Sequence, residues 1–155
     1  MKKKIMIVVL LCLLIVLLLL LCRSCGQPED DSTLPIDGDA QSWQGNQDLH
    51  RGKAGKEIAI PGFSSLAFIA DQTDQKVNFY NPAENDCLFV FSLFVDDTLL
   101  WQSGYCPPGN GYYNIQLSEP LSNGQYSGIL KIECYRQNGE QLNRARIPFD
   151  LTVED

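Results

Sequence analysis

Apolar positions along the chain follow two different patterns. Residues 5–22, IMIVVLLCLLIVLLLLLC, run for eighteen positions without a charge, a proline or a glycine. From Glu57 onward the apolar residues come instead in short runs, many of them alternating with polar ones and separated by turn residues. The first pattern predicts one transmembrane helix, because eighteen helical residues rise roughly 27 Å, close to the hydrocarbon thickness of a bilayer. The second predicts strands near 57–60, 64–70, 76–80, 87–95, 98–103, 111–117, 127–136 and 145–153, rich in the Val, Ile, Phe, Tyr and Leu that suit a pleated, half-buried surface. Turn material divides them at Pro61-Gly62, Asp71-Gln72-Thr73-Asp74, Asn81-Pro82, Asp96-Asp97, Pro107-Pro108-Gly109, Ser122-Asn123-Gly124 and Asn138-Gly139. Short strands at this spacing, with no helical period among them, point to an all-β, two-sheet sandwich over 57–155.

Flanking charge sets the direction of the apolar block. Lys2, Lys3 and Lys4 precede it, while Arg23 follows and Glu29, Asp30 and Asp31 lie beyond. The basic segment 1–4 is therefore expected in the cytoplasm and the C-terminal part outside the cell membrane. A cleaved signal peptide has a shorter apolar region and small residues at its cleavage site, whereas the exit here reads Leu21-Cys22-Arg23-Ser24-Cys25. Lipidation at Cys25 would need a small residue where Arg23 stands and a leucine where Cys22 stands. An uncleaved anchor is the favoured reading, and either alternative leaves the rest of the chain exported. Residues 23–56 are dominated by Gly, Pro, Asp, Gln and Ser, too polar to offset their ordering entropy, and read as a disordered tether. The only histidine, His50, falls there and reads as a solvated residue.

Alternation assigns faces to the strands. Cys87, Phe89, Phe91, Leu93 and Val95 form one set, and Leu88, Val90, Ser92 and Phe94 the other, which holds the polar residue. The first set is placed in the core. A two-residue turn at Asp96-Asp97 would pair Val95 with Thr98 and Leu93 with Leu100. That register sends Phe94, Leu99 and Trp101 to the opposite face. Leu130, Ile132 and Cys134 form an inward set, as do Tyr113, Ile115 and Leu117, leaving Tyr112 and Asn114 outward.

Composition then narrows the chemistry. The chain carries a formal net charge of -7, and residues 57–155 hold 13 acidic and 5 basic side chains. Nucleic acid and anionic surfaces are poor partners for such a module. No histidine follows residue 56 to act as a general base, so an enzyme is not expected. No cofactor is expected either, and no metal, because the cysteines lack zinc-ligand spacing and the turn carboxylates lack a calcium-loop pattern. Cys12 and Cys22 lie in the apolar block and Cys25 at its exit. Of the three remaining cysteines, Cys87 and Cys134 share the inward parity and are the preferred disulfide pair in an oxidising compartment; all three packing as thiols is the other reading.

Two groups of residues carry a resemblance. Leu121-Ser122-Asn123-Gly124-Gln125-Tyr126 resembles the tyrosine corner of immunoglobulin-like sandwiches, and Cys87, Trp101 and Cys134 are similar in order to the Cys-Trp-Cys trio of true immunoglobulin domains. Cys134 lies eight residues after Tyr126, where that family has two. With its basic start, single span and polar tether, the chain also resembles small cell-surface proteins of Gram-positive bacteria, most clearly at Val77-Asn78-Phe79-Tyr80-Asn81-Pro82 and Ser103-Gly104-Tyr105-Cys106-Pro107-Pro108-Gly109. The resemblance implies an immunoglobulin-like fold and a surface location; it implies no activity.

The expected function is binding. Phe94, Leu99, Trp101 and Tyr112, with Tyr135 as a possible fifth member, would form an aromatic patch, or else a second core layer under another strand. Stacking of Trp101 and Tyr112 favours a glycan partner, whereas Phe94 and Leu99 favour a protein. The alternative is an accessory subunit working through residues 5–22, although that segment offers no small-residue packing motif.

Overall fold

The computed structural model describes residues 34–45, 49–50, 58–62 and 65–155. These are all-β: ten strands and no helix. The apolar block 5–22 lies outside them, and no helix among the described residues is long and apolar enough to cross a membrane. In chain order the strands are β1 (Gln41–Ser42), β2 (Leu49–His50), β3 (Ile60–Pro61), β4 (Ser65–Ile69), β5 (Asp74–Tyr80), β6 (Leu88–Val95), β7 (Thr98–Gln102), β8 (Asn110–Gln116), β9 (Gly124–Tyr135) and β10 (Gln141–Glu154).

Five strands form one sheet in the order β4-β10-β9-β6-β7, three form another in the order β1-β8-β5, and β2 pairs with β3 alone. All neighbours are antiparallel except β4 and β10, which run parallel with Ser65 opposite Asp150. Phe89, Phe91, Leu93, Leu130, Ile132 and Leu151 from the larger sheet share a buried cluster with Val77, Phe79, Tyr112 and Ile115 from the smaller one. The sheets thus bury their apolar sides against each other, as half-apolar sheets must.

Cys87, just before β6, and Phe89, Phe91, Leu93 and Val95 within it are all buried, as the alternation predicts. So are Leu88 and Ser92 of the opposite set, because β6 is a central strand covered on both faces there. Leu130, Ile132 and Cys134 are fully buried as well. Asp96 and Asp97 both have positive φ, 45° and 67°, the backbone of a two-residue type I′ hairpin turn. Val95 accordingly pairs with Thr98. The expected register holds through Phe94 and Leu99 and then fails. Phe94 faces Leu99 but Leu93 faces Trp101, so Leu100 is an extra residue in β7. A bulge of this kind re-aims every side chain that follows it. Trp101 turns inward and packs against the core, the reverse of the predicted orientation.

A second irregularity falls between β5 and β8. Lys76 faces Asn114 and Phe79 faces Tyr112, three steps along one strand against two along the other. Tyr112 therefore reaches the core three residues from Ile115, and it is Tyr113 that lies outside it. The predicted inward set Tyr113, Ile115 and Leu117 holds only for its last two members.

The largest departure concerns the tether. Residues 34–45, expected to be disordered, lie along the smaller sheet as a strap. Ile36 bridges to Tyr105, the Asp37 N–H donates to the Tyr105 carbonyl at 2.9 Å, and β1 pairs antiparallel with β8. The anchor is Trp43, whose indole is stacked between Tyr80 and Tyr113 at 4.7 and 4.5 Å. A Cβ on Gly111 would come within 2.9 Å of that indole and 2.5 Å of the Phe79 carbonyl, so glycine leaves the surface on which Trp43 lies. Averaged composition hides such a segment, because one aromatic and three other apolar residues among twelve are enough to hold it to a prepared surface. His50, also read as tether, lies in β2 opposite Ile60.

Candidate functional site

The strap leaves β8 at Ala40. Its N–H closes a turn onto the Asp37 carbonyl at 3.3 Å, and the Asp39 N–H donates to Asp37 Oδ1 at 3.0 Å. This turn aims the Asp37 carboxylate back at the sheet. Asp37 Oδ2 accepts from the Tyr112 hydroxyl and from the Gly104 N–H, both at 2.7 Å. Burial works to raise the Asp37 pKa, but the hydrogen bonds from Asp39, Tyr112 and Gly104 outweigh it and hold the carboxyl below its ordinary value. Burial, followed by the bond to Asp37, pushes the Tyr112 phenol well above the ordinary tyrosine range. Tyr112 is thus a neutral donor and Asp37 an ionised acceptor.

Beside this pair lies a groove of about 420 Å³. Trp101 and Gln102 of β7 line it together with Tyr112, Asn114, Ile115 and Gln116 of β8. Asp37, Asp39 and Gln41 of the strap close one wall, and Asp74 of β5 adds a further carboxylate. The Trp101 ring meets Tyr112 edge-on at 5.1 Å and Phe79 at 6.0 Å, which braces it against the core while leaving part of it accessible. The arrangement offers a flat apolar surface ringed by amides and carboxylates.

The four residues singled out from sequence do not form one patch. Trp101 and Tyr112 come together, yet Tyr112 is only 2% exposed and acts as support for Trp101, without a free face of its own. Phe94 and Leu99 pair with each other on the outer side of the larger sheet, where Leu99 is 44% exposed. The bulge at Leu100 is what separates the two pairs. Tyr135 stands apart from both, edge-on to Tyr105 at 5.4 Å. The strap residues Asp37, Asp39 and Gln41 were hidden by the composition of their segment; the one signal for them was a tryptophan in an otherwise polar stretch.

The three described cysteines are free, buried thiols. Cys134 faces Phe89 across the β9–β6 ladder, Cys87 comes two residues before that Phe, and Cys106 faces it from the other side. The Cys134 thiol hydrogen-bonds Cys87, which lowers the Cys87 pKa and raises that of Cys134. Burial pushes Cys106 up to about 12. Cys87 lies immediately before β6 and Cys134 in β9, its neighbour in the same sheet, whereas the immunoglobulin disulfide crosses between sheets. The Tyr126 hydroxyl donates to the Ser122 carbonyl at 2.9 Å, tying the turn before β9 to its first residues. Among the described residues no group of three or more His, Cys, Asp or Glu is placed to hold a metal ion. Comparison with protein-family models, with curated proteins and with solved structures gives no match to this chain.

Proposed function

We propose that the chain is a single-pass membrane protein whose exported, immunoglobulin-like sandwich works as a non-catalytic binding module at the cell surface, with the groove at Trp101 as its site. Lys2 to Lys4 ahead of the apolar block support the orientation. The tyrosine corner at Tyr126 supports the immunoglobulin-like build. The observation that supports the binding role is the partly buried Trp101 ring, braced by Tyr112 and Phe79 and bordered by polar side chains from four segments. A few polar groups converging around an aromatic surface is the usual make-up of a recognition site. Catalysis is disfavoured because Asp37 is already committed to three donors and no histidine stands among the lining residues.

The test places a photo-crosslinking side chain at Gln102, in the groove, and separately at Leu99, on the opposite face, in the full-length protein in its own membrane. Adducts are expected from position 102 and should disappear in a folded Trp101→Ala variant. Adducts from position 99 alone, or from neither position, would refute the assignment.

A further inference from the structure

Strand β8 has two sides, and they are used unequally. One pairs with β5 from Asp74 to Tyr80. The other carries only β1, through Gln41 opposite Gly111 and Ser42 opposite Asn110. The turn at Asp37–Ala40 then diverts the strap, so that among the described residues no strand covers this side of β8 from Tyr112 to Gln116. The groove runs along that uncovered length, with β7, itself the edge of the larger sheet, facing it. Five extended residues span roughly 17 Å, the length of a short bound peptide.

An open edge offers backbone groups to any extended chain, and β1 shows that this edge accepts one. Charge selects which. The groove is lined by Asp37, Asp39 and Asp74, and by no Lys, Arg or His. Lys76, opposite Asn114 on β5, is the nearby cation on that pair of strands. With Asp37 engaged by Tyr112 and Gly104, the charges left to a ligand are those of Asp39 and Asp74, beside the Trp101 ring. Carboxylates around a tryptophan face suit a lysine or arginine side chain. A second copy of this chain, at a net charge of -7, is a poor occupant.

Resting on the groove as the binding site, we propose that the free side of β8 takes an extended cationic peptide by strand addition, continuing the line begun by β1. The peptide backbone pairs with Tyr112–Gln116, and its basic side chains meet Asp39, Asp74 and Trp101.

Hydrogen exchange of the full-length protein in zwitterionic nanodiscs tests this with four probes: a six-residue peptide alternating Lys and Val, its Glu-for-Lys counterpart, its alternately N-methylated counterpart, and a neutral chito-oligosaccharide. The Lys peptide is expected to slow exchange at 112–116 by about tenfold, less at high salt, while the other three leave it unchanged. Asp39→Asn together with Asp74→Asn should weaken that peptide roughly tenfold. Equal protection by the Glu or N-methylated peptide overturns the inference. Protection around Trp101 by the oligosaccharide alone overturns it too, yet leaves the binding-module reading standing. Silence of the groove toward all four probes overturns the inference, and crosslinking from position 102 then decides the broader reading separately.

Discussion

At Asp37 one carboxylate joins three parts of the chain: its own turn through Asp39, the loop after β7 through Gly104, and the core through Tyr112. Replacing it by alanine leaves the buried Tyr112 hydroxyl without its acceptor, which should cost about 1–3 kcal/mol at neutral pH. The pH dependence follows from the sign of the shift. A carboxyl held below its ordinary 3.8 in the folded state contributes fully above that value and loses its contribution as pH falls through the depressed one. The gap between wild type and Asp37→Ala, read from urea unfolding, should therefore be constant near neutrality and close in acid. Cys106 gives a second residue-scale expectation. A buried thiol pushed up to about 12 carries almost no thiolate, so iodoacetamide should leave Cys106 unmodified in the folded protein and label it fully on unfolding, as peptide mass mapping would show.

Strands were legible in the sequence wherever alternation persisted. Seven of the eight predicted runs correspond, in order, to β4 through β10, while the first meets β3 only at Ile60. The inward parity of β6 could be named residue by residue, although Leu88 and Ser92 of the other parity are buried as well. What alternation does not carry is a change of phase. One extra residue at Leu100 and one irregular step between Lys76 and Phe79 reversed the faces of Trp101 and Tyr112, because a strand's side-chain period is two and any single insertion inverts it. A two-residue strand such as β1 has no period to read, and the groove wall it belongs to was missed with it. Trp43 holds that wall in place. Trp43→Ala removes two aromatic stacks worth about 0.5–1.5 kcal/mol each beyond their buried area. The Asp37 and Trp43 amides, which donate to Tyr105 and Gly109, should then exchange faster, while the β9–β10 ladder stays protected. Within that ladder Gly128 lies opposite Phe149, and a Cβ added there would stand 2.2 Å from the ring. Gly128→Ala should lower stability by about 1–3 kcal/mol in chemical denaturation, through overpacking alone.

For the molecule as a whole, order of attachment matters as much as shape. The strap is the most N-terminal of the described segments, so it stands between residues 1–33 and the sandwich along the chain, and it also supplies Asp37, Asp39 and Gln41 to the groove. Tension pulled through the N-terminal side would reach the fold first at these residues, held by the Asp37 bonds to Tyr105, Gly104 and Tyr112, a two-residue ladder and one sandwiched indole. That junction can unzip one bond at a time, while the fourteen residues of β10 are spread across two neighbouring strands. If the groove binds as proposed, the strap would act as a mechanical fuse: load applied from its N-terminal side would strip one wall from the groove, and let go of whatever it holds, before the two sheets feel any strain.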